Sequence, residues 1–309
     1  MRRNTRMLGW DDFNNRNRTV QILSEKGEEK LRKRNNAGKK FVTLLLSLPM
    51  YLYCIGSLIF LSYALINPFK SNKEFFQNLL GLPRQWTLEN IIQVWKAAEF
   101  YKYYINSIVV TVCATLSILV IASLTAYGLS RYKFKFNKKV NSFFLLGMMF
   151  PATIMIIPLF LVARNLGLVD NFRGLVVIFT ATTLSFSVFI LAGFFKTLPH
   201  EVHEAAKIDG AGEFRIFWKI MMPMARPILG TLMTITAINV WNDYFISLIM
   251  IYDNDKRTLP LALANFYAGN QARWPLLFAA LFITTLPIII VFFIGSKQIV
   301  SGLTAGATK

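Results

Sequence analysis

Few side chains in this sequence could carry out a reaction, and their placement limits what that reaction is. The two histidines, His200 and His203, stand three apart with no cysteine or third histidine near them. Neither a metal centre nor a Ser/His/Asp or Cys/His nucleophilic set can be assembled from that pair. The two cysteines, Cys54 and Cys113, fall inside long apolar stretches and read as small core residues, not as redox or metal-binding groups. No Gly-x-x-x-x-Gly-Lys-Ser/Thr segment is present, so nucleotide phosphates cannot be cradled here in the P-loop manner. The expectation is a chain that is not an enzyme, with no catalytic residue, no metal and no cofactor of its own. One group stands out: Asp243, an acid inside an otherwise uncharged apolar run, beside Trp241, Asn242 and Tyr244. A charge in hydrocarbon costs roughly 3 kcal/mol or more, so such a residue faces a cavity or a partner group. It lies either on a polar translocation path or serves as a structural hydrogen-bonder near the outer end of its span.

The elements that position these residues are apolar helices. The chain is 54% hydrophobic and only 16% charged, too apolar for a soluble domain of 309 residues. Residues 41–69, 103–130, 140–163, 174–195 and 274–296 contain no Asp, Glu, Lys or Arg, and 227–252 contains only Asp243. Each stretch exceeds the roughly 20 residues that cross about 30 Å of hydrocarbon as a helix. The fold class expected is an all-α integral membrane protein with six transmembrane helices, near 41–66, 105–129, 140–163, 174–195, 227–250 and 275–296. Pro151 and Pro158 should bend the third. In the outer segment 67–104, Thr87 is placed to cap a short helix, and Phe100, Tyr101, Tyr103 and Tyr104 form an interfacial belt before the second span.

Charge placement orients the chain. With the N-terminus inside, segments 1–40, 130–141, 196–226 and 297–309 hold 24 of the 34 Lys and Arg residues, and the outer segments hold 10. That asymmetry puts both termini in the cytoplasm. The net charge of +18 is spread over loops, whereas nucleic-acid binding wants basic residues gathered on one face with stacking aromatics. Residues 1–40 are a basic tail without the apolar core of a cleavable signal, drawn to anionic membrane lipid. Residues 105–296 form the core domain, and 297–309 a short cytoplasmic tail.

Between the fourth and fifth spans lies a polar segment, 196–226, that reads as a helical hairpin. Its first helix carries Glu204-Ala205-Ala206-Lys207-Ile208, followed by Asp209-Gly210-Ala211. Leu198, Val202, Ala205 and Ile208 share one face by spacing, and Gly210 can take the positive φ that stops the helix. The second helix sets Phe214, Phe217, Trp218 and Met221 on one face, with Glu213, Arg215 and Lys219 pointing away and Pro223 closing it. The apolar faces are expected to rest on the membrane domain, and the alanines let a partner's surface approach closely. A hairpin lying at the interface with no partner is the plainer alternative.

The spacing Glu-Ala-Ala-x-x-Asp-Gly-Ala, with Phe217, Ile220, Pro223 and Pro227 in register, resembles the EAA loop of binding-protein-dependent ABC importer permeases. The likeness extends over about 41–309: Asn106-Ser107, Ala126-Tyr127 with Arg131, Pro151 with Pro158-Leu159-Phe160, Leu166-Gly167-Leu168, Trp241-Asn242-Asp243, Leu259-Pro260 and Gly302-Leu-Thr-Ala-Gly-Ala307. It is nearest the second permease of carbohydrate importers of the maltose and oligosaccharide type. The resemblance implies the type I ABC importer permease fold in a bacterial cell membrane. It implies a second homologous permease subunit, a dimeric ABC ATPase that carries ATP and Mg, and an extracytoplasmic sugar-binding protein. It also assigns Glu204, Ala205, Ala206, Asp209, Gly210 and Ala211 to ATPase coupling, and it suits Trp241, Asn242, Asp243 and Tyr244 to a sugar path, although in the maltose system the other permease holds most sugar contacts. Two rival readings stay open at this point. A proton-coupled secondary transporter would use Asp243, and a non-transporting scaffold would use the hairpin to recruit a soluble partner.

Overall fold

The computed structural model describes residue 44 and residues 46–307 except 98, 152 and 270–272. The basic tail, 1–40, lies outside the described residues. All regular structure among the described residues is helical. The chain divides into two compact units, residues 1–63 and 64–309. The first unit is described through most of α1 (Leu46–Phe69), whose 24 residues are long and apolar enough to cross a bilayer.

The second unit holds the rest. Two short outer helices, α2 (Asn72–Gln77) and α3 (Glu89–Ile92), precede the long α4 (Phe100–Arg131). The helix expected at Thr87 is present, but its N-cap is Leu88 and not Thr87; Thr87, one residue earlier, accepts the Glu89 amide on Oγ1 at 3.1 Å. The Asn90 amide locks it to the carbonyls of Pro68 and Lys70, both at 2.8 Å.

The centre of the unit is the pair α4 and α7 (Phe172–Thr197). Ala114, Ala122 and Ala126 of α4 are wholly buried, and small side chains of this kind let helix backbones approach closely where lipid supplies no hydrophobic drive. Around this pair, α10 (Arg226–Trp241) packs on α4 and on α13 (Trp274–Ala307), and α12 (Leu259–Gly269) packs on α4 and α13 as well. Two apolar clusters sit at opposite ends of α4. One joins Ala126, Phe195, Ile216, Phe217 and Met221; the other joins Val110, Ala163, Phe179, Val240 and Met250.

Three of the expected spans change form. The third is not one bent helix but two, α5 (Asn137–Met149) and α6 (Ile156–Asn165). Pro151 lies in the break, and Phe150 before it is extended (φ −92°, ψ 111°), as a residue preceding proline prefers. Pro158 sits in the first turn of α6, where its missing N–H leaves nothing unpaired.

The fifth stretch also breaks: α10 ends at Trp241, and a link through Asn242, Asp243 and Tyr244 leads to α11 (Phe245–Met250). The sixth is longer than expected. Its helix runs on through Ala307. Among the described residues, four helices are long and apolar enough to span by themselves, and a bent pair, described next, makes a fifth if it counts as one span.

Candidate functional site

The hairpin folds as α8 (His200–Ile208) and α9 (Glu213–Met224), the latter bent by 77° against α10 at Ala225. Its turn is a Schellman motif. Gly210 adopts φ +77°, its N–H donates to the Lys207 carbonyl at 3.0 Å, and the Ala211 N–H donates to the Ala206 carbonyl at 3.0 Å. A β-carbon at Gly210 would meet no neighbouring atom within 4 Å, so the demand for glycine comes from the backbone angle. Within α9 the segment Phe217–Met221 is a π turn. It falls just before Pro223, whose ring would collide with the Lys219 carbonyl in a regular α-helix, and the widened turn makes room. The helix therefore passes Pro223 and stops at Ala225 instead of closing at the proline.

A polar cluster, buried at Tyr127 and His203 and half-exposed at Glu213, fixes the hairpin to the membrane helices. The Tyr127 hydroxyl on α4 donates to Glu213 Oε2 at 3.0 Å. His203 Nε2 lies 3.1 Å from the same hydroxyl and 3.2 Å from the same carboxylate oxygen. A carboxylate only accepts, so the His203 proton must be on Nε2 for that bond. Lys207 forms an ion pair with the other oxygen, Glu213 Oε1. Burial would raise the Glu213 carboxyl, but hydrogen bonds from Lys207, Tyr132, His203 and Tyr127 outweigh it and hold the group at about 2. Nearby, Arg131 Nη2 donates to the carbonyls of Phe195 and Leu198 at 2.9 and 3.0 Å, capping the end of α7 with a cation as the helix dipole favours.

This arrangement corrects the expected faces. The inward residues are His203, Ala206, Ile216, Phe217 and Met221, while Ile208 and Phe214 stay 86% and 75% exposed. Ala205 and Trp218 are exposed as well, and Glu213 points inward rather than away. Of the motif residues, Glu204, Ala205, Asp209 and Gly210 are exposed, Ala211 is half-buried and Ala206 is buried. The motif therefore divides into a buried anchor and a presented surface.

The group around Asp243 is not gathered in one cavity. Trp241 is buried, its indole N–H donating to the Thr284 carbonyl at 3.2 Å and its ring set edge-on to Tyr104. Asp243 Oδ1 accepts the Ser247 amide at 3.1 Å, capping α11. Asn242 is exposed and Tyr244 half-buried. Sequence reasoning missed a different feature, a groove of about 330 Å³ between α4, α10 and α13 that includes Thr111, Thr115, Gly230 and Thr234. Its only sequence signal is the interruption of apolar runs by threonine and glycine at helical spacing.

At the opposite end, polar contacts join two loops to one another and to α4. Asp170, at φ +58°, accepts the amides of Tyr252 and Asp253, each at 3.0 Å, and the Lys256 ammonium at 3.1 Å. Asn106 donates to the carbonyls of Asp255 and Arg257 at 2.8 and 3.0 Å, and Ser107 accepts the Leu259 amide at 2.7 Å.

The profile of the family described as the binding-protein-dependent transport system inner membrane component matches residues 118–303, from the middle of α4 through the hairpin and into α13. This chain belongs to that family. The permease is 32% identical over 263 residues to the diacetylchitobiose uptake system permease protein NgcG of Streptomyces coelicolor, covering 84% of this chain and 87% of that one. It is 31% identical over 248 residues to the melibiose/raffinose/stachyose import permease protein MelC of Bacillus subtilis, covering 80% and 90%. Its fold matches a chain of a bacterial ABC transporter that imports the acidic polysaccharide alginate, with a TM-score of 0.74 at 24% identity over 84% of this chain and 96% of that one. The protein is thus a multi-pass membrane subunit of an ABC importer, and family membership favours that reading over the proton-coupled carrier and the scaffold.

Proposed function

We propose that the permease forms half of a translocation pathway for an oligosaccharide, delivered by an extracytoplasmic binding protein and driven by a separate ATPase dimer docked on the hairpin. A second, related permease supplies the other half. One observation carries the docking assignment. The hairpin is pinned on one side by Tyr127, His203 and Glu213, yet presents Ile208, Phe214 and Trp218 to the outside with Glu204 beside them. An exposed apolar set on a rigid support, rimmed by charge, is what a protein partner's groove requires. ATP binding would close the ATPase dimer and draw two such hairpins together, and the polar cluster would pass that displacement to α4 and α7. The sugar class rests on the relatives named for diacetylchitobiose and for melibiose, raffinose and stachyose.

The test is uptake of a panel of labelled oligosaccharides in cells with and without this chain. ATP-dependent uptake of at least one should disappear in its absence. Unchanged uptake of the whole panel, with loss of some non-sugar solute instead, would overturn the substrate class and leave the ATPase docking to be judged separately.

A further inference from the structure

A cleft of about 460 Å³ opens between the start of α5 and the end of α7, sharing no residue with the groove at Thr111 and Thr234. Its walls grade from polar to apolar. On α5, Lys138, Ser142 and Leu145 follow one another at helical spacing, and on α7, running the opposite way, Lys196, Gly193 and Phe189 do the same. Both lysines therefore stand at one end and both large apolar groups at the other, separated by roughly 10 Å at the rise of an α-helix. The polar end lies beside segment 130–141, whose five basic residues mark the cytoplasmic side. Nothing acidic occurs on either element: from Phe100 to Val169, and again from Asn171 to His200, the sequence contains no Asp or Glu. The Asn137 and Asn141 amides in the wall are engaged elsewhere, Asn137 with the carbonyls of Leu129 and Tyr132, and Asn141 with Asn137 itself. The cations are left facing the cleft without a counter-charge among the described residues. The floor at Gly193 is open, since a β-carbon there would meet no atom within 4 Å.

From this we infer that the cleft is a binding site for an anionic phospholipid of the inner leaflet. Lys138 and Lys196 would take the phosphate, with Ser142 as a hydrogen-bond donor, and an acyl chain would lie along Leu145 and Phe189. Two lysines above an apolar trough distinguish a phosphodiester lipid from a soluble phosphate, which would gain nothing from the lower half. The inference rests on the inside placement of segment 130–141 and not on the sugar or ATPase assignment.

The full chain, reconstituted in nanodiscs, tests this with spin-labelled phosphatidylglycerol and phosphatidylcholine, reading the ratio of their immobilised fractions. Lys138→Gln with Lys196→Gln should lower the preference for phosphatidylglycerol by on the order of fivefold or more. Gly193→Leu, which keeps both charges but fills the floor, should lower it too. Lys133→Gln with Lys135→Gln removes two charges from the same loop outside the cleft and should leave most of it. Equal losses in the two lysine pairs would mean diffuse attraction and would overturn the site, as would an unchanged ratio in both cleft variants. Competition of inorganic phosphate with the lipid at millimolar concentration would replace the lipid assignment with a phosphate site.

Discussion

The two ends of α4 are tied to their surroundings in opposite ways. At the hairpin end, the buried Tyr127 and His203 bond a half-exposed Glu213 between α4 and the hairpin, ringed by Phe195 and Phe217. At the outer end, Lys102 reaches Glu99 and Asp255, and Lys256 reaches Asp170 and Asp253, all from exposed or half-exposed positions. Exposed ion pairs contribute about 0–1 kcal/mol each, whereas removing one member of a buried hydrogen-bonded set leaves its partners unsatisfied at roughly 1–3 kcal/mol. The difference assigns the ends different duties. The inner end is a stiff joint built on the buried Tyr127 and His203, and at the outer end the ion pairs form a clasp that can open at small cost over the buried Ser107–Leu259 bond.

The largest effect should come from breaking the stiff joint. Glu213→Ala leaves Tyr127, His203 and Lys207 without their shared acceptor, and a loss of about 1–3 kcal/mol should lower uptake about fivefold or more. Insertion should be normal by membrane fractionation, which separates a lost joint from a lost fold. Next is Gly210→Val, which forces a β-branched residue to φ +77° at a cost of about 1–3 kcal/mol. It should reduce both uptake and co-purification of the ATPase subunit, with Glu204→Lys acting in the same direction from the presented surface.

The joint should also be indifferent to ordinary pH. Glu213 is held at about 2, below its usual value of 4.5. Its contribution is therefore complete above the usual value and is lost only as pH falls from about 4.5 through about 2. Proteolytic protection of the hairpin should not decline as pH is lowered from about 8 to 5, and a decline across that range would show that Glu213 is not the group that holds it.

The clasp predicts less. Asp170→Asn removes the charge that Lys256 meets but keeps an oxygen for the Tyr252 and Asp253 amides, so thermal stability and uptake should change within about twofold. A tenfold loss would mean that the outer end is held as firmly as the inner one. The smallest effect is expected for Asp243→Asn, whose amide oxygen can still accept the Ser247 amide. ATP-dependent uptake should persist in this variant, whereas Asp243→Leu, which loses the cap, should fall further.

The contrast between the ends is only partly readable in the sequence. The second and fourth spans, and the positive-φ turn at Gly210, follow from local rules: long charge-free runs, and glycine just past a periodic segment. The breaks at Pro151 and at Asn242–Tyr244 follow only in part, because a proline and a polar pair mark the two places but only the chain's packing decides whether a helix bends or stops. The faces of the hairpin differ from expectation for a related reason. His203 is buried because Tyr127 and Glu213, 76 and 10 residues away in sequence, satisfy its ring nitrogen. Ile208 looks like a core residue by type but stays 86% exposed. Spacing within a helix shows which residues share a face, while the partner on the other side determines which face turns inward.

Whether the stiff end presents the docking surface is tested most directly by site-specific photo-crosslinking in the assembled transporter. A photoreactive side chain at Ile208 or Phe214 should capture the ATPase subunit, and one at Asn254 in the outer clasp should not. Absence of ATPase adducts from both hairpin positions, with the complex intact, would contradict the docking assignment, as would adducts of equal yield from Asn254.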